Sequence, residues 1–265
     1  MQTIFRNPLA GPYVLGISAG ASLGVAVLVL GFLPLFHITN INYLGSWAQI
    51  VAAWIGSGLV LFMILAASTR VRDIMTILIL GILFGSATSA FVSMLQYFTN
   101  QTQLKLFVIW SLGSLGNLTR MQLNVLVPGV LAGLLLAFFL SKVLNALLLG
   151  ETYAKSMGVN IKMVRFIVFI STSILAGSIT AFCGPIGFIG IAVPHISRFL
   201  FRSADHRILL PGSMLLGAVV MLLSDLLTQL PAKDTQLPIN SVTALLGIPV
   251  VVWIVIKNQK MSDFS

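Results

Sequence analysis

The chain has 265 residues, of which 58% are hydrophobic and 8% charged, whereas ordinary soluble domains carry roughly a quarter charged residues. The net charge of +9 therefore does not argue for nucleic acid, because membrane proteins gather Lys and Arg in cytoplasmic loops for topological reasons. A lone cysteine, Cys183, excludes an internal disulfide and any multi-cysteine metal site.

A bilayer core about 30 Å thick takes about 20 apolar residues per helical crossing. Apolar runs bounded by charge or by Pro/Gly clusters predict eight spans, at 13–33, 47–68, 74–98, 122–149, 164–182, 186–201, 208–230 and 239–256. The sixth is short and polar at its end. A further apolar stretch, 104–116, is read as an interfacial or re-entrant helix, because a ninth crossing there would disturb the alternation of loop charge.

With eight spans, Arg6, Arg70, Arg72, Lys142, Lys155, Lys162, Arg165, Arg198, Arg202, Arg207, Lys257 and Lys260 fall on one side, and Lys105, Arg120 and Lys233 on the other. The cation-rich side is the cytoplasm, and both chain ends are expected there.

Helix-breaking dipeptides gather near span ends: Asn7-Pro8, Gly11-Pro12, Gly184-Pro185, Leu237-Pro238 and Ile248-Pro249, with Pro194 besides. Broken helices in a membrane are tolerated where they are buried in protein or line a polar cavity. Asn7, Pro8, Gly11, Pro12, Gly184, Pro185, Pro238 and Pro249 are therefore candidates for the surroundings of a pathway, with ordinary helix punctuation as the alternative. Gly16, Gly20 and Gly24, and Gly81 with Gly85, carry the small-residue spacing that lets membrane helices pack closely.

The longest cytoplasmic connection holds a short helix candidate at 151–157, with Glu151 in its first turn, Gly158 as its stop and Asn160 as cap of the next span. A short capped helix on the cytoplasmic face suits contact with a second protein. It equally suits a well-capped loop with no partner.

Five stretches together resemble a known family. They are Arg6-Asn-Pro-Leu-Ala-Gly-Pro-Tyr-Val-Leu-Gly-Ile-Ser-Ala-Gly20, Leu149-Gly-Glu-Thr-Tyr-Ala-Lys-Ser-Met-Gly-Val159, Cys183-Gly-Pro-Ile-Gly-Phe-Ile-Gly-Ile-Ala-Val-Pro-His-Ile-Ser-Arg198, Asp205-His-Arg-Ile-Leu-Leu-Pro211 and Leu237-Pro-Ile-Asn-Ser-Val-Thr-Ala-Leu-Leu-Gly-Ile-Pro249. The chain resembles the FecCD-type permeases of ABC importers, which carry iron-siderophores, haem and cobalamin. The resemblance implies an all-α polytopic bundle with inverted repeats, in which the Gly11-Pro12 and Gly184-Pro185 breaks are related positions. It implies a homodimer with the substrate path at its axis, two ATPase subunits on the cytoplasmic face, an extracytoplasmic substrate-binding protein outside, and no cofactor. Under it, Gly150, Glu151, Ala154, Lys155, Met157, Gly158 and Val159 form the ATPase-coupling segment of one permease domain, 1–265, in a bacterial inner membrane. No Gly-x-x-x-x-Gly-Lys-Ser/Thr pattern occurs, so ATP hydrolysis is expected of a partner.

Three departures from the family stand out. Relatives usually carry two further helices before the Arg-Asn-Pro-Leu-Ala motif, whereas Met1 stands five residues before Arg6; a chain short of two N-terminal helices is expected, through a misassigned start or a deletion. Gln236 stands where relatives commonly have Glu, and Gln229 where cobalamin permeases have a basic residue. Lys233 and Gln236 are the candidates for binding-protein docking.

Asp225 is the one acid deep in an apolar run. Without a second acid or an intramembrane cation beside it, it reads as a structural hydrogen-bonding residue more readily than as a proton relay. His37, His195 and His206 are too dispersed for a ligand cluster. An ion-coupled secondary carrier, or a non-transporting fragment of the permease, are the alternative functions.

Overall fold

The computed structural model describes residues 1–32, 45–70, 74–116, 118–230 and 237–262. Every regular element among them is helical: α1 Gln2–Phe5, α2 Ile17–Ala26 extended by a π-helical turn Val27–Phe32, α3 Gly45–Arg70, α4 Ile74–Phe98, α5 Gln101–Leu112, α6 Arg120–Phe139, α7 Ser141–Leu148, α8 Glu151–Ser156, α9 Ile161–Cys183, α10 Ile189–Phe201, α11 His206–Thr228 and α12 Ile239–Ser262. The expected all-α bundle is thus what the chain forms.

Among the described residues, five helices are long and apolar enough to cross a membrane: Trp47–Ala67, Thr76–Phe98, Arg120–Phe139, Ile161–Cys183 and His206–Thr228. Three shorter apolar helices, Ile17–Phe32, Ile189–Phe201 and Ile239–Trp253, fall in the remaining expected spans. The 13 residues of α10 reach only about 20 Å at 1.5 Å per residue, which agrees with the short run seen at 186–201.

Three features were not given by the hydropathy reading. The span expected from residue 13 begins at Ile17, behind Gly16 with φ 72°; a Cβ there would lie 2.8 Å from the Gly81 oxygen and 2.9 Å from Gly85 Cα. The run 122–149 is two helices. α6 alone, with 20 residues, covers about 30 Å, a full crossing. α7 then buries Ser141, Leu144 and Leu147 along one side, the two leucines in a cluster with Ile4 and Phe5 of α1. Finally, Pro249 and Pro194 lie inside α12 and α10 and do not end them. A proline removes one backbone donor, and membrane helices tolerate it when neighbouring groups serve the freed carbonyl.

The described residues divide into two compact units, Met1–Pro185 and Ile186–Ser265. In the first, α9 is the most buried of the long spans and packs against α2, α3 and α6. Lipid offers little hydrophobic drive for helix association, so close approach and polar contacts take over. Gly24 lies so near the Ala52 carbonyl, and Gly56 so near that of Gly20, that a methyl group at either would overlap backbone. Ser57 and Ser173 share a hydrogen bond of 2.7 Å, and Ser171 Oγ donates to the Gly133 carbonyl at 2.8 Å. The small-residue spacing is packing, as expected from sequence.

The second unit holds α10, α11 and α12. Gly187 N–H donates to Asn240 Oδ1 at 3.1 Å, and Phe199 meets Trp253 edge-to-face at 6.0 Å between centroids. Asp205 caps α11 by accepting from Arg207 N–H at 2.8 Å.

Candidate functional site

The coupling segment folds through its own caps. α8 starts at Gly150, φ 117°, and its last turn closes on Met157. Gly158, φ +82°, donates its N–H to Lys155 at 2.9 Å, and Val159 donates to Ala154 at 3.0 Å. That pair of bonds is a Schellman closure, which needs a left-handed residue at Gly158. Asn160 Oδ1 then accepts from Met163 N–H at 3.1 Å and starts α9.

Only Ala154 of α8 is fully buried; it joins the cluster made with α1, α7 and the first turn of α9. Thr152, Tyr153, Lys155, Ser156, Met157 and Gly158 are exposed, and Glu151 and Val159 half-buried. The Arg165 guanidinium donates from Nη2 to Glu151 Oε1, tying α8 to the start of α9. Arg6, also counted among the cytoplasmic cations, lines the same small crevice as Glu151 and Arg165.

At its other end α9 stops at Gly184, φ 75°. Ala181 O accepts from two side chains, Gln49 Nε2 and Trp110 Nε1, the latter at 3.0 Å. Ser114 N–H donates to the Cys183 carbonyl at 3.1 Å. Gly184 is pressed so closely on the Trp110 carbonyl that a side chain there would overlap it, and its Cβ would lie 3.0 Å from Gly113 Cα. The stretch expected as an interfacial helix at 104–116 is therefore α5, capped by Asn100 Oδ1 accepting from Gln103 N–H at 2.9 Å. Its 12 residues span about 18 Å, short of a crossing. α5 and α8 adjoin opposite ends of α9.

The first break is a stack of turns. Asn7 Oδ1 accepts from Leu9 N–H at 2.8 Å, and Pro8 O accepts from Gln2 Nε2 at 2.7 Å. Gly11 O and Pro12 O accept from Leu15 and Ile17 N–H at 3.1 and 3.0 Å. Ala10, Gly11 and Leu15 are buried, which satisfies the rule that irregular backbone at membrane depth is enclosed by protein.

The two breaks meet at one cleft of about 780 Å³, whose lining includes Tyr13 just after Gly11-Pro12, and Pro185 itself. α4 contributes Ser86, Ser89, Ser93 and Gln96, α2 contributes Ser22, and α5 contributes Trp110 and Ser111. No charged residue or histidine is among the lining residues. Pro238 belongs to the second unit, where its carbonyl accepts from Ser241 N–H at 3.1 Å at the start of α12. Lys233 and Gln236 lie outside the described residues, as do Arg72 and His37.

Asp225 has its carboxylate oxygen Oδ2 3.2 Å from Gln229 Nε2 one turn on, a hydrogen bond of the structural kind expected. No cluster of three metal-binding side chains occurs among the described residues. Trp110, Gln49 and the α4 serines are not among the site residues expected from sequence. These α4 residues carry a usable signal, since Ser86, Ser89, Ser93 and Gln96 recur at helical spacing on a largely apolar span. The tryptophan carries none, because its partner is a backbone carbonyl 71 residues away.

The sequence model of the FecCD transport family matches residues 1–257. The chain belongs to the FecCD transport family. It is 35% identical over 263 residues to the vitamin B12 import system permease protein BtuC of Salmonella typhi, covering 98% of this chain and 77% of that protein. It is also 35% identical over 261 residues to the hemin transport system permease protein HmuU of Yersinia pestis, covering 98% of this chain and 76% of that one. A solved structure titled as an inward-facing conformation of a metal-chelate type ABC transporter superposes with a TM-score of 0.83 at 30% identity, over 97% of this chain and 79% of its own. The resemblance read from the five motifs is borne out, and this FecCD member is a multi-pass helical membrane protein.

Proposed function

We propose that the chain is the permease subunit of an ABC importer for metal chelates of the iron-siderophore, haem or cobalamin type. The observation that carries the reading is α8: a six-residue helix, closed at Gly158, anchored by Ala154 and Arg165, and presenting Tyr153, Lys155 and Met157 outward. A partner ATPase pushes on this rigid knob, and the permease supplies two conformations that the ATPase biases. No catalytic residue is required of the permease itself.

Two copies assemble with the α4 cleft toward the shared path, two ATPase subunits bind beneath, and a substrate-binding protein delivers the chelate from outside. The membrane is the bacterial inner membrane, with both termini cytoplasmic. Lys233 and Gln236 are the residues that receive the binding protein. Support comes from the family membership and from relatives named as B12 and hemin permeases.

The experiment is reconstitution in proteoliposomes with the genomic-neighbour ATPase and binding protein, followed by uptake of ferric siderophore, haem and cobalamin. ATP-dependent uptake of one class is expected. Uptake that survives without ATP and collapses with the proton gradient would point to an ion-coupled carrier.

A further inference from the structure

Nothing described above says how motion at α8 reaches the cleft, and α9 offers the route. Its 23 residues span about 35 Å, and it is fastened at both ends by polar contacts. At one end Arg165 holds Glu151 of the coupling helix. At the other, Ala181 O holds the Trp110 indole, Cys183 O holds Ser114 N–H, and Gly184 is wedged on Gly113.

Trp110 and Pro185 are themselves cleft wall. A packed helix resists axial compression, since its ladder of backbone hydrogen bonds and its close-packed neighbours move as discrete bodies. An axial shift or tilt imposed at Glu151 therefore reappears at Trp110. The other anchors of α5 are softer: Phe107 packs on Ala26 and Leu30 through apolar contact alone.

We infer that Trp110 is the positioning residue that makes the cleft follow the coupling helix, with its N–H on the Ala181 carbonyl and the Glu151–Arg165 pair as the two fastenings of an α9 strut. Trp110 transmits force and needs no contact with the cargo. The inference rests on the proposed ATPase-driven function. Removing the indole N–H leaves Ala181 O with Gln49 as partner, so a phenylalanine keeps the ring packing without leaving a carbonyl unserved.

The test uses the full permease–ATPase complex in a Cys183→Ser background with a reporter cysteine at Ser111, which lines the cleft. Labelling by a charged methanethiosulfonate is timed with and without ATP and vanadate. The parent should change its labelling rate severalfold on nucleotide trapping. In Trp110→Phe, and separately in Arg165→Gln at the far end, that change should shrink to less than twofold, while the Trp110 variant keeps ATPase co-purification and ATP hydrolysis. Arg165 is about one-third exposed, so its variant guards against misfolding at the buried end. A nucleotide response in both variants equal to the parent's overturns the strut while leaving the proposed function standing. Failure of the ATPase to co-purify with the parent overturns the proposed function and the strut with it.

Discussion

The indole N–H of Trp54 donates to Ser178 Oγ at 3.0 Å, joining α3 to α9 in the middle of the first unit. Ser57 and Ser173 repeat the α3–α9 link nearby at 2.7 Å. Interhelical hydrogen bonds in membranes contribute about 0.6 kcal/mol on average and up to about 1.7. Ser178→Ala should therefore lower stability by about 1 kcal/mol, read as a shift of the thermal transition in detergent, and combining it with Ser173→Ala should give a nearly additive loss if the two links are independent.

Two glycines make opposite predictions for the same substitution. Gly158 has φ +82° but open space around it, so Gly158→Ala should cost only the left-handed penalty of about 1 kcal/mol. The protein should fold normally. Gly24 faces the Ala52 carbonyl without room for a methyl group, and overpacking of that kind costs about 3 kcal/mol or more. Gly24→Ala should collapse the yield of monodisperse protein in size-exclusion chromatography.

Tyr153 of α8 and Met157 at its cap are 50% and 61% exposed, so little packing is lost when either is replaced. Met157→Glu should leave the melting transition in place and weaken ATPase binding by about tenfold to a hundredfold, the range of an interface residue worth about 1.5 to 3 kcal/mol. Pull-down of the ATPase at graded concentrations measures it. Unchanged affinity would remove α8 from the interface.

On α4, Ser89 Oγ donates to the Gly85 carbonyl at 2.9 Å and Ser93 Oγ to the Ser89 carbonyl at 3.0 Å. Removing these hydroxyls leaves backbone carbonyls that are already bonded within the helix. Ser89→Ala and Ser93→Ala should thus change stability by less than about 0.5 kcal/mol. Their uptake rates, measured in proteoliposomes, should shift more than their melting temperatures.

The helices were legible where one physical rule dominates. α4 matched its expected limits at both ends because an uninterrupted apolar run of crossing length has one solution in lipid. The α8 stop at Gly158 and the Asn160 cap were legible because caps are local chemistry. The late start of α2 was not, since Gly16 answers to Gly81 and Gly85, more than sixty residues on. The break between α6 and α7 was hidden because both sides are apolar, one facing outward across a full crossing and the other covering α1. Pro249 misled for the reverse reason: a residue that breaks helices in water stays inside one here. Of the site, the breaks at Pro12 and Pro185 were readable as punctuation, but their convergence on one cleft is a tertiary fact.

The α4 serines have one further implication. The hydroxyls of Ser89 and Ser93 each spend their proton on their own helix, and the cleft wall carries no fixed charge. If the cleft is the proposed path, a passing solute would meet a surface wet enough to slide along but with no strong grip to release. On that proposal, such a wall would favour throughput over retention and leave discrimination between solutes to whatever hands them in.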